Sequence, residues 1–143
     1  MKNLPVKVWG ILYTKDALGN VQYLLLKRTP QDWGFRQMIT WTLHAWESFV
    51  SCLQREIREE VGLNSWYVIG DMIDHFTWNR SNWDLIHEFV YPVYVEQQFE
   101  PTLSPDEHEK FMWLSYGEAR EKLFTENNKR SLSILSWLLE WNQ

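Results

Sequence analysis

Three glutamates, Glu56, Glu59 and Glu60, lie within five consecutive residues in the run "REIREEVGL". An α-helix advances about 100° per residue. On that wheel the three carboxylates share one arc, beside an apolar arc of Val50, Leu53, Ile57 and Val61, while Arg55 and Arg58 point largely away. Carboxylates crowded on one helical face repel one another unless a cation sits among them. Hard divalent ions such as Mg2+ take oxygen ligands of this kind, completed by water and phosphate oxygens. Glu47, just before the helix, could add a fourth carboxylate. Spacing alone equally allows a solvated acidic face with arginine partners, the ordinary meaning of a charge run.

A helix that presents such a cluster needs a sheet beneath it. Ser48 is a suitable N-cap and Gly62 a suitable left-handed stop, which predicts a helix from there to about Val61. Before it, "VKVWGILYT" and "VQYLLLKR" read as strands joined through the turn signal Gly19-Asn20, and "MITWTL" as a short strand. After it, "SWYVIGDMIDHFTW" and "LIHEFVYPVYVE" read as two long strand-like segments, and "FMWLS" as a short one. "GEAREKLF" and "NKRSLSILSWLLEWN" read as helices, the second with Leu132, Ile134, Leu135, Leu138 and Leu139 on its buried side. Strands, a mid-chain helix, more strands and terminal helices predict a mixed sheet between helices, in one domain spanning 1–143.

Composition removes several classes of function. Apolar residues make up 45% of the 143-residue chain and charged residues 23%, an ordinary globular balance. No run has the roughly 18 apolar residues of a membrane span, and the first residues carry no secretory pattern. The net charge of −5 argues against binding a nucleic-acid polymer. Cys52 is the only cysteine, which excludes a disulfide framework and fits a cytoplasmic setting. Ten tryptophans are more than a core of this size accommodates, so some should meet solvent, a ligand or a partner. His75, His87 and His108 show no ligand spacing and receive no role.

The run Glu47 to Leu63 resembles the Nudix box, G-x5-E-x7-R-E-U-x-E-E-x-G-U, where U is bulky and aliphatic. Glu47, Arg55, Glu56, Ile57, Glu59, Glu60, Gly62 and Leu63 match it. The likeness extends over nearly the whole chain. "GFRQMIT" followed by "DEHEKFMWL" looks most like the dihydroneopterin and deoxynucleoside triphosphate pyrophosphohydrolase branch. The resemblance implies an α/β/α sandwich around a mixed sheet, and Mg2+- or Mn2+-dependent hydrolysis of nucleoside diphosphates linked to another group. It implies Glu56, Glu59 and Glu60 as metal ligands, Glu60 and Glu107 as candidates for the catalytic base, Arg55 as orienting a carboxylate, and Glu47 as supporting the site or the helix entry. In such chemistry a metal neutralises the diphosphate and acidifies the attacking water, and a carboxylate takes the proton.

The loop before the helix departs from that pattern. Trp41 and Trp46 stand at its two glycine positions, and His44 where a glutamate is frequent. Glycine there supplies positive φ or close approach to phosphate, and tryptophan serves neither purpose. Phe49 and Val50 occupy the first helical turn, and Trp33, Arg36 and Met38 lie upstream. Three readings follow. The aromatics fill core space; or they stack on a flat substrate with catalysis retained; or Trp33, Met38, Trp41, His44, Trp46, Phe49 and Val50 form a protein-binding surface over the former active site. The third is the favoured expectation: a protein-binding module, engineered on a Nudix scaffold, with hydrolase activity reduced or lost. Self-association is a second use for such a patch. If His44 contacts a partner, mild acid should alter binding.

Overall fold

The computed structural model describes residues 5–28, 36–37, 39–79, 84–103 and 108–141. Among the described residues eight strands form one sheet: β1 (Val6–Lys15), β2 (Val21–Arg28), β3 (Arg36–Gln37), β4 (Ile39–Thr42), β5 (Tyr67–Ile69), β6 (Asp74–Asn79), β7 (Leu85–Val95) and β8 (His108–Leu114). The helices are α1 (Phe49–Glu56), which continues as a π-helical turn (Ile57–Val61), α2 (Tyr116–Lys122) and α3 (Glu126–Trp141). β1 is central. It runs parallel to β7 along one edge, and its other edge is shared between β4 and β2, both antiparallel. β8 extends the sheet beyond β2, and β3 pairs with Leu26 and Lys27 on the same edge of β2 as β1.

Side chains alternate between two faces, as a pleated strand requires. Val8 and Leu12 of β1, Leu24 and Leu26 of β2, and Val93 and Val95 of β7 pack with Cys52, Leu53, Ile57 and Val61. Trp9, Ile11, Tyr23, Leu25, Val90 and Leu114 pack on the opposite face with Ala119, Leu123, Leu132 and Leu135. The expected α/β/α sandwich around a mixed sheet is therefore the fold. Asp74 of β6 ties the α3 layer down, accepting from Ser131 Oγ at 2.7 Å and pairing with Arg130.

The β1–β2 hairpin closes on Gly19 at φ 85°, with Asp16 Oδ1 accepting from the Leu18 and Asn20 amides. "SWYVIGDMIDHFTW" is not one strand but two. β5 pairs with Tyr94 and its neighbours, and β6 with residues 85–90 of β7. The break lies opposite Pro92, which has no amide to donate to a ladder. Gly70 passes so close that a Cβ there would sit 2.9 Å from Pro92 Cγ. On α3, the expected stripe shrinks to Leu132 and Leu135, joined by Ser131; Ile134, Leu138 and Leu139 are half-buried. The tryptophans divide as their number implied: Trp9 is fully buried, while Trp46, Trp66, Trp137 and Trp141 are exposed. Among the described residues no helix is long and apolar enough to cross a membrane.

Candidate active site

β4 pairs with the first half of β1 and delivers the chain to the start of α1, where the Leu43 amide donates to Val6 O. Residues 44–47 turn tightly, the Glu47 amide donating to His44 O at 3.1 Å. Trp46 sits in this turn at φ 73°, the only positive φ outside glycine among the described residues. The left-handed conformation that glycine would favour has thus been kept with a tryptophan in it. Ser48 then caps α1 as expected, its Oγ accepting from the Ser51 amide at 3.0 Å.

Leu53, Ile57 and Val61 of the arc read on the wheel are fully buried, as expected, and only Val50 departs from it. Phe49, Cys52, Leu53, Glu56 and Ile57 turn towards the sheet, and Val50, expected in the core, is 41% exposed. Phe49 is drawn inward because β7 offers it Phe89, stacked at 4.6 Å, with Tyr91 edge-on. Burial pushes the Cys52 thiol up to about 12, so it is a packed apolar group rather than a nucleophile. The π-helical turn was not foreseen either. Gly62 closes it at φ 67° with its amide on Ile57 O. A Cβ at Gly62 would stand 3.0 Å from Thr102 Oγ1, so two constraints select glycine there.

Arg55 is the centre of the cluster, which corrects the wheel reading that pointed it away. Its Nε donates to Glu47 Oε2 at 2.6 Å and its Nη2 to Glu47 Oε1 at 3.1 Å. Nη1 donates to Glu56 and lies 3.6 Å from Glu59 Oε2. A short helical side chain could not span these partners; the arginine fork does. Glu47 also accepts from the His44 amide at 2.9 Å, which ties the loop to the helix through one carboxylate. The Arg55 fork holds the Glu47 carboxyl below the usual carboxylate range, and Glu47 in turn raises Arg55. Glu56 is buried, Glu60 half-buried and Glu59 exposed.

The structure thus gathers Glu47, Arg55, Glu56 and Glu59 in one network and places Glu60 on the adjoining π-turn. Among the described residues no three carboxylate, imidazole or thiol groups already converge as a metal site. The donor chemistry nevertheless suits a hard divalent cation: all donors are glutamate oxygens at one helix end, buried at Glu56, half-buried at Glu60 and exposed at Glu59. Glu107, Trp33 and Met38 lie outside the described residues, as does the Trp41 side chain. Of the remaining aromatic-patch residues, His44, Trp46 and Val50 are exposed and Phe49 is half-buried against Phe89.

The family model described as "NUDIX domain" matches residues 4–138. A NUDIX hydrolase from Listeria monocytogenes is similar, with TM-score 0.84, 23% identity and 97% of each chain covered. An Ap4A hydrolase from C. elegans gives TM-score 0.82 at 17% identity, covering 94% of this chain and 97% of that one. The dihydroneopterin triphosphate pyrophosphohydrolase of E. coli gives 0.80 at 17%, covering 95% and 99%. A protein from Myxococcus xanthus described as an octanoyltransferase is 30% identical over 120 residues, 83% of this chain. The matched part is 33% of that relative, so the chain spans about a third of its length.

Proposed function

The chain belongs to the NUDIX domain family, and from that premise we propose that it hydrolyses a phosphoanhydride in a nucleoside triphosphate or related diphosphate compound, with Mg2+ or Mn2+ held by Glu56, Glu59 and Glu60. The observation that carries this reading is the Arg55 network, which brings Glu47, Glu56 and Glu59 together on one guanidinium. The cation, when bound, neutralises phosphate charge and acidifies a water molecule. Arg55 is a positioning residue: it fixes the carboxylates and is itself occupied by them. Glu47 holds the loop against the helix by accepting from both His44 and Arg55. Glu60, half-buried beside the exposed Glu59, is the base candidate within the described residues.

The Trp46 ring is 96% exposed, so it projects into water and does not occupy the glutamate cluster. This supports retained chemistry over a ring that fills the site. The same exposure favours a second reading. Trp46, with His44 and Val50, is a protein-binding surface on an engineered scaffold, and hydrolysis is diminished or lost. The two part on turnover. With Mg2+ and a panel of nucleoside triphosphates, the hydrolase reading expects phosphate or pyrophosphate release that Glu59→Gln or Glu60→Gln abolishes. The binding reading expects no release. It also expects that, if the patch self-associates, Trp46→Ala shifts the sedimentation profile.

A further inference from the structure

Away from the glutamates, the fold brings together two histidines that the hydrolase reading does not use. His75 of β6 registers with Phe89 of β7, and Thr77 with His87, so the histidines are diagonal neighbours across an antiparallel pair. His75 Nδ1 and His87 Nε2 stand 3.1 Å apart. Both rings lie nearly parallel to Phe89, His87 at 4.3 Å and 19°, His75 at 5.9 Å and 21°. Phe89 is backed in turn by Phe49 of α1 at 4.6 Å. Two strands and an aromatic stack therefore hold the imidazoles side by side, with His75 facing water.

We propose that His75 and His87 form a two-ligand site for a borderline transition-metal cation such as Cu2+, Zn2+ or Ni2+, distinct from the glutamate cluster. Imidazole binds such metals at about 2.0–2.1 Å, and two nitrogens 3.1 Å apart then subtend roughly 95–100° at the metal, between the octahedral and tetrahedral angles. Each ring must turn to aim its lone pair at that point, which lies roughly 40° off the line joining the two nitrogens. Without metal, one nitrogen donates a proton and the other accepts. On binding, that proton passes through solvent to the donor ring's other nitrogen, so two neutral imidazoles become ligands with no net proton change. Imidazole donors suit Cu2+, Ni2+ and Zn2+, whereas Mg2+ prefers carboxylate and water, so the two sites select different ions. Among the described residues no third acidic, imidazole or thiol ligand joins the pair, which leaves coordination positions for water or an added donor.

The test is calorimetric titration of the whole chain with Cu2+ and Zn2+ in excess Mg2+ near neutral pH. The expected result is one ion per chain, with Cu2+ bound more tightly than Zn2+. His75→Ala and His87→Ala should each weaken binding roughly tenfold or more, since even outer partners of metal ligands are worth about ten- to a hundredfold. Glu59→Gln should leave it unchanged. In the unaltered protein, substoichiometric Cu2+ should broaden the ring resonances of His75 and His87 before those of His44 and His108. Absence of binding, binding indifferent to both histidine variants, binding lost in Glu59→Gln, or broadening that begins at His44 or His108 would each overturn the assignment.

Discussion

Replacing Trp46 by glycine should stabilise the protein, although it removes the largest side chain available. At φ 73° a non-glycine residue carries a cost of about 1–2 kcal/mol. The ring is 96% exposed, so deleting it forfeits almost no buried area. Glycine loses about 0.5–1 kcal/mol more chain entropy on folding than other residues, which offsets part of the relief. The net gain is about 0.5–1 kcal/mol, or roughly 2–3 °C in midpoint for a domain of this size. Thermal and urea unfolding followed by circular dichroism measure it. Trp46→Ala is the control, because it deletes the same ring and keeps the strain, and it should stay within about 0.5 kcal/mol of the parent. A glycine variant less stable than the alanine variant would mean that the backbone at φ 73° bears no strain for glycine to relieve.

Three more outcomes follow from the packing. Arg55→Met keeps the stem and removes the fork, leaving Glu47 and Glu56 without their main cationic partner; urea unfolding should show a loss of about 2 kcal/mol, in the range for charged hydrogen bonds. Glu88 is buried with Oε1 accepting from Trp78 Nε1 at 2.8 Å and Oε2 without a partner, and burial raises its pKa above 4.5. Its contribution to stability is full below the unfolded-chain value and lost as pH rises through the raised native one. Glu88→Gln should therefore flatten that fall and leave the variant more stable than the parent at neutral pH, as read from denaturation across pH. Gly70→Ala should cost about 1–3 kcal/mol in the same assay, because the new methyl overlaps the Pro92 ring.

The sequence carried the strands, the caps and the glutamates because each is written locally. β1 and β2 are apolar runs on either side of the Gly19-Asn20 turn, Ser48 and Gly62 bound the helix, and the box spacing marks Glu56, Glu59 and Glu60. What was not legible depends on neighbours distant in sequence. The inward turn of Phe49 needs Phe89, forty residues later, and it displaces Val50 to solvent. The division of β5 from β6 is imposed by Pro92 on the partner strand. Arg55 turns inward through a bidentate match to Glu47, which a wheel of residue directions does not contain. The pairing of His75 with His87 follows from strand register, which no spacing along either strand reveals. Trp46 is the instructive case: its position was legible as that of a glycine, and the backbone retains the left-handed φ that a glycine would supply.

We propose hydrolysis at the Arg55-centred glutamates, from which the Trp46 ring stands clear. Its most direct test is release of phosphate or pyrophosphate from nucleoside triphosphates by the unaltered protein with Mg2+, beside Glu59→Gln at equal folded concentration. Mg2+-dependent turnover is expected in the first and none in the second. Absence of turnover with every substrate, or turnover that Glu59→Gln leaves intact, would contradict it.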